Sequence, residues 1–185
     1  MSSDSGLSLG TSKSRRALVV TDMLNDFLDP RGALFCGEAG RAIVPVVAAR
    51  IDEARRLGEP VIYIMDEHRP DDREFEMFPP HCVAGTRGAA VADELRPREG
   101  DILIPKRRYS AFFGTDLDLY LRELGVKELV LVGVCTNICV YFTALDARML
   151  GYEVTVLRDG VASFDEEAHR FALEQMKSVL GVKLA

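Results

Sequence analysis

Cys135 and Cys139 stand four residues apart in the segment GVCTNICVYF, directly after the aliphatic run Leu129 to Val132. Thiols at this spacing can clip a metal, pair as a disulfide, pack as small apolar groups, or supply a nucleophile. A zinc clip needs further thiol or imidazole ligands at recurring spacing, and no second such cysteine pair occurs in the chain. Packing in a core is the ordinary fate of a cysteine. Position separates the two. Cys139 falls in the first turn of an expected helix, where free amides and the helix dipole stabilise a thiolate. Those amides can also hold an oxyanion on an attacked carbonyl. Cys135 lies earlier, in the turn, where its backbone N–H is of more use than its thiol.

A cysteine nucleophile needs a base or a charge partner. Asp22 and Lys106 are the available groups. Alone, Asp22 reads as a turn or cap carboxylate and Lys106 as a solvated loop lysine. Their positions in the chain change that reading, because each follows a short aliphatic run.

Those runs are the elements that must carry the chemistry. Ala17 to Val20, Val61 to Met65, Ile102 to Ile104, Leu129 to Val132 and Val154 to Leu157 read as strands, with a short sixth at Val182 to Leu184. Amphipathic segments at Ile43–Leu57, Asp116–Leu124, Asn137–Leu150 and Glu166–Leu180 read as helices between them. Strands apolar throughout require cover on both faces, and βα alternation makes them parallel. In such a sheet ligands bind at the carboxyl edge, so Asp22, Asp66, Lys106 and the Cys135–Cys139 turn are expected at one mouth.

The remaining composition narrows the function. With 48% hydrophobic and 28% charged residues, the 185-residue chain has the balance of a soluble domain with a real core. A net charge of −6 argues against a nucleic-acid surface, and Lys106-Arg107-Arg108 is too small a basic cluster to reverse that. No apolar stretch is long enough to span a bilayer. Residues 1–15, rich in Ser and Gly, read as a disordered leader without the apolar core of a signal peptide, followed by one domain over 16–185. A cytoplasmic location follows, and with it reduced thiols at Cys36, Cys82, Cys135 and Cys139.

Three motifs in order resemble the isochorismatase-like cysteine hydrolases, and among them the nicotinamidases: Asp22 in VVTDMLNDF, Lys106 in PKRRYSAF, and Cys139 in GVCTNICVYFTALDA. The likeness runs across nearly the whole chain after the leader. It implies a three-layer α/β/α, Rossmann-like fold with a six-stranded, mostly parallel sheet. It also implies a catalytic set of Asp22, Lys106 and Cys139, a cis peptide before Cys135, and an oxyanion hole from the amides of Cys135 and Cys139. The middle loop resembles the metal site of nicotinamidases at Asp66, His68 and His81, with Glu74 near the place of a fourth ligand. Carboxylate and imidazole donors suit Zn²⁺, with Mn²⁺ or Fe²⁺ as alternatives. Phe27, Phe78 and Tyr109 are the aromatic candidates for the substrate pocket. His169, mid-helix among Glu and Arg, reads as a surface residue.

The function implied is hydrolysis of nicotinamide to nicotinate and ammonia through a thioester, a step in NAD salvage. The partner expected is a small amide, with no nucleic acid or membrane, and a homo-oligomer is compatible with the family. Leu24 where nicotinamidases usually carry Gln, and Phe78 where they carry Trp, leave other substrates open. These are another small amide, an N-carbamoyl compound or isochorismate. A binding protein without turnover and a redox-sensing thiol are the readings from other classes.

Overall fold

Alternate residues of the first strand point to opposite faces and meet different helices. The computed structural model describes residues 15–185, so the expected leader lies outside the described residues apart from Arg15, which opens the first strand. The strands are β1 (Arg15–Thr21), β2 (Val61–Asp66), β3 (Ile102–Lys106), β4 (Val126–Val134), β5 (Glu153–Ala162) and β6 (Lys183–Leu184). The helices are α1 (Asn25–Leu28), α2 (Gly37–Ala42), α3 (Val44–Leu57), α4 (Leu117–Glu123), α5 (Tyr141–Met149) and α6 (Glu166–Ser178). Leu18 and Val20 pack on one face with Val44, Val47 and Ile51 of α3. Ala17 and Val19 pack on the other with Leu117 and Leu121 of α4, Ala144 and Ala147 of α5, and Met176 of α6. A period of two on strands buried on both sides gives two cores and three layers.

All five strand pairings are parallel, in the order β3-β2-β1-β4-β5-β6. The chain runs outward from β1 to β3, then crosses back to place β4 on the other side of β1. That reversal opens a crevice at the carboxyl ends of β1 and β4. Gly133 pairs with Thr21 at this junction, with φ near 115°. A Cβ there would stand 2.0 Å from the Thr21 carbonyl oxygen, so only glycine lets the two strands close.

Every expected strand is present, and β5 runs five residues past its expected end at Leu157, to Ala162. Two short helices, α1 and α2, were not legible as periodic segments. The expected helix over Asn137–Leu150 is in fact two pieces. A single π-type turn at Thr136–Val140 precedes α5, so Cys139 lies in that turn and not in the first turn of an α-helix. The cause is local. The Cys135 carbonyl accepts from the amides of Ile138 at 3.0 Å and Val140 at 3.2 Å, passing over Cys139. The peptide bond between Val134 and Cys135 is cis.

Candidate active site

Four strand ends deliver the polar groups. Asp22 follows β1 in a left-handed conformation, φ 50°, which aspartate tolerates better than most residues. Asp66 ends β2 and stands in register with Lys106 at the end of β3. Cys135 follows β4, and the π-type turn carries Cys139.

Lys106 joins them. Its side chain is fully buried, with Nζ 3.0 Å from Asp22 Oδ2, 2.6 Å from Asp66 Oδ1 and 3.4 Å from Cys139 Sγ. Burial pulls the ammonium down, but Asp22, Cys139 and Asp66 together hold its pKa well above the usual lysine value. A buried lysine flanked in this way is a fixed cation. Asp22 is buried too, and burial lifts its carboxyl to about 6 against the pull of Lys106. Its Oδ1 accepts the Asp66 amide at 2.9 Å, which fixes the carboxylate plane. Burial pushes the Cys139 thiol well above its ordinary range despite Lys106, so the resting sulfur is protonated. Oxygens of Asp22 and Asp66 and the Cys139 sulfur lie within 4.8 Å of one another. The Lys106 ammonium bonds to this trio, so it is an ion-paired cluster and not a cation site.

Asp66 also faces the other way. Its Oδ2 lies 3.4 Å from His68 Nε2 and 3.6 Å from His81 Nε2, and Glu74 Oε1 is 3.9 Å from His68 Nε2. One atom from each of Asp66, His68, Glu74 and His81, all buried, falls within 4.8 Å of the others. The donor set passes a direct test of fit. Among the described residues His68 Nε2 is buried with no hydrogen-bond partner, a state that folded proteins rarely leave a buried polar atom in. His81 Nδ1 donates to the Pro79 carbonyl at 2.8 Å, which turns the Nε2 lone pair inward. His68 Nδ1 sits 3.2 Å from Asp72 Oδ2, and Arg108 holds Asp72 from outside at 3.0 Å. These residues could hold a divalent ion of the kind that takes nitrogen and oxygen donors.

Above both groups is a pocket. Phe27, Leu34, Phe78, Tyr109, Ile138 and Phe164 form its walls, and Asp66, Glu74, His81, Cys135 and Cys139 reach into it. All three aromatic residues expected in the pocket are therefore brought together. Phe27 and Phe78 each stand edge-on to the His81 ring, at 5.8 and 6.2 Å, and Tyr109 lies against Phe142 at 5.6 Å.

Several contributors were not found by sequence reasoning. Asp26 accepts the Cys82 amide at 2.7 Å and the Ala33 amide at 3.2 Å, tying the His81 loop to the wall that carries Leu34. Gly88 lets that carboxylate in, since a Cβ there would stand 2.1 Å from it. The motif containing Asp26 was visible, but its partner 56 residues away was not. Cys36 is likewise a tertiary neighbour, its thiol 3.4 Å from that of Cys135. His169 corrects the surface reading: it is half-buried, and its Nδ1 lies 2.8 Å from Thr136 Oγ1. Glu166 and Arg170 made its helix face look solvated, but the ring reaches across to the π-type turn.

The isochorismatase domain model matches residues 16–184. This chain belongs to the isochorismatase family. The isochorismatase family protein PncA of Bacillus subtilis, itself uncharacterized, is 39% identical over 92% of this chain and 99% of its own length. A probable inactive nicotinamidase of Arabidopsis thaliana is 39% identical over 90% of each chain. A ureidoacrylate amidohydrolase, RutB, of Agrobacterium fabrum is 33% identical over 79% of this chain and 75% of its own. Among solved structures, a nicotinamidase/pyrazinamidase of Bacillus subtilis superposes with a TM-score of 0.89 at 38% identity, covering 92% of this chain and 99% of that one. A pyrazinamidase of Pyrococcus horikoshii in complex with zinc gives 0.87 at 38% identity, covering 92% and 98%. The three-layer fold with a six-stranded parallel sheet is the isochorismatase-type fold, and the protein is an isochorismatase-family hydrolase. Among the described residues no helix is long and apolar enough to cross a membrane.

Proposed function

We propose that this hydrolase cleaves the amide of a small, flat nitrogen heterocycle, nicotinamide in the first instance, giving the carboxylate and ammonia. The observation that carries the reading is the sharing of Asp66. One of its oxygens holds Lys106, which holds Cys139, while the other faces His68 and His81 in the four-residue donor cluster. Nucleophile and metal-ligating cluster thus open onto one apolar, aromatic-walled pocket.

In the first step Asp22 takes the proton from the Cys139 thiol as the sulfur forms a bond to the amide carbon. Its raised pKa, about 6, suits a group that is a base at neutral pH and then an acid. Lys106 steadies the charge shared by sulfur and carboxylate. The carbonyl oxygen becomes an oxyanion received by the amides of Cys135 and Cys139, the latter being the one that the Cys135 carbonyl passes over. Collapse breaks the C–N bond, and Asp22 returns its proton to the departing ammonia. Water then attacks the thioester, Asp22 accepts a proton from it, and the C–S bond breaks to release the acid, Asp22 returning that proton to the sulfur to restore the thiol. A divalent ion held by Asp66, His68, Glu74 and His81, zinc being the first choice for this donor set, would supply Lewis acidity toward a ring nitrogen and so orient the heterocycle. Phe27, Phe78 and Tyr109 would enclose the ring.

The lining favours this substrate over carboxylate-bearing ureido acids such as the one that names the Agrobacterium relative. Among the described residues the pocket lining contains no arginine or lysine, and its polar end carries Asp66 and Glu74. A substrate carboxylate would have no side-chain cation in the lining to pair with, and only the divalent ion that the ring nitrogen is assigned to.

The deciding experiment measures ammonia release from nicotinamide by metal-replete protein, with Cys139→Ala as control. Release that vanishes in the variant supports the reading. No release by folded, metal-loaded protein refutes nicotinamide as the substrate and turns the search to other amides and N-carbamoyl compounds.

A further inference from the structure

Between Cys135 and Cys139, whose amides are assigned to the oxyanion, stand Thr136, Asn137 and Ile138, and the first two are each held from outside their own segment. Asn137 Oδ1 accepts a hydrogen bond from Ser163 Oγ at 2.6 Å, just past the end of β5. Thr136 is completely buried, and among the described residues its only side-chain hydrogen bond is with His169 Nδ1 of α6, at 2.8 Å. The carbonyl of Cys135, which precedes the turn, is shared between the amides of Ile138 and Val140, and the Tyr141 amide bonds back to Ile138. A single π-type turn takes part of its orientation from what it is bonded to on either side. Ser163 and His169 belong to the β5–α6 unit, which is anchored separately through the apolar face of α6, Ala172, Leu173 and Met176.

We propose that His169 is a positioning residue for the reaction, acting through Thr136 to hold the Cys135–Cys139 turn with its amides aimed at the carbonyl oxygen; this rests on the amide-hydrolase reading above. Neither tautomer is required, because the threonine hydroxyl can donate to a bare Nδ1 or accept from a protonated one. The histidine touches neither substrate nor reacting atoms. Its effect is on geometry in the transition state, where a displacement of about 1 Å costs roughly 100-fold in rate.

The experiment compares steady-state kinetics of nicotinamide hydrolysis in five metal-loaded proteins: wild type, His169→Ala, His169→Asn, Thr136→Val and the His169→Ala/Thr136→Val double variant. Asparagine offers a polar atom close to the place of Nδ1, and valine keeps the shape of threonine without its hydroxyl. The expected result is a fall in kcat of about 10- to 100-fold in His169→Ala and in Thr136→Val, with KM changed by less than about threefold. The double variant is expected to be no slower than the slower single, and His169→Asn to recover most of the loss. A purely structural role would lower Tm and the active fraction and leave kcat per active site, counted by burst titration or Cys139 alkylation, unchanged. That outcome overturns the proposal, as do losses that multiply in the double variant. Absence of nicotinamide turnover in wild type would instead refute nicotinamide as the substrate, so the two failures are told apart.

Discussion

Replacing Lys106 by methionine removes one positive charge from a fully buried position and keeps much of the side chain's bulk. Two carboxylates, Asp22 at 3.0 Å and Asp66 at 2.6 Å, then lose their shared counter-charge. Breaking a buried ion pair costs about 3–5 kcal/mol. For a chain of this length that is a Tm lowered by about 6–20 °C. The catalytic consequence follows from Asp22. Its carboxyl is already at about 6 with Lys106 present, burial raising it and the ammonium lowering it. A neighbouring cation depresses a carboxyl by about 1–3 pH units, so without it the acid limb of kcat/KM moves from about 6 to roughly 7–9. At pH 7 the ionised fraction of Asp22 falls from about nine-tenths to between roughly one-half and one-hundredth. Loss of the contact to Cys139 Sγ adds to this, and kcat/KM at pH 7 is expected to fall at least about tenfold. The sign for stability is opposite to that for activity. A carboxyl raised above its unfolded value of 3.8 binds its proton more tightly in the native state, so the variant regains stability as pH falls through that window while activity is lost. The assay is a pH–rate profile of ammonia release with parallel thermal melts. A folded Lys106→Met protein whose acid limb stays near pH 6 would refute the assigned coupling of Asp22 to Lys106.

Cys139→Ala is expected to reduce turnover to background while circular dichroism, Tm and bound-metal content stay near wild type. Retained ammonia release in that variant would remove the thioester from the mechanism. Asp26→Ala frees the Cys82 and Ala33 amides beside His81, and metal affinity measured by competition with a chelator is expected to drop about 10- to 100-fold, the usual effect of losing an outer support of a ligand. Unchanged affinity would show that the His81 loop stands without it. Gly133→Ala places a Cβ against the Thr21 carbonyl at 2.0 Å and strains a positive φ, so soluble expression is expected to fail or Tm to drop steeply. A stable Gly133→Ala protein would mean the β1–β4 junction is looser than the register indicates.

What was legible in the chain is what repeats locally. Aliphatic runs such as Ala17–Val20 and Leu129–Val132 announce buried parallel strands, because a sheet covered on both faces has no polar side to encode. Asp22, Asp66 and Lys106 could be assigned to one mouth because each follows such a run, and parallel strands end on the same edge. The donor set at Asp66, His68, Glu74 and His81 and the aromatic candidates Phe27, Phe78 and Tyr109 were named through the likeness to nicotinamidases and not through any local pattern.

Tertiary structure decided everything that depends on contacts between distant segments. The sequence marks Lys106 as a lysine at a strand end, but only burial beside Asp22, Asp66 and Cys139 makes it a fixed cation. Asp66 serves both clusters because its two oxygens point in opposite directions, a fact of orientation that no pattern carries. The turn at Cys139 looked like an ordinary helix start, since the apolar period of α5 runs through it unbroken. The Cys135 carbonyl, by reaching Val140 and passing over Cys139, made it a π-type turn. His169 looked solvated because its chain neighbours are charged, and it became a support for that turn only when α6 packed across the end of β4. Charge and period are properties of neighbours in the chain, whereas burial and hydrogen bonding are properties of neighbours in space, and the residues around this pocket acquire their chemistry from the second.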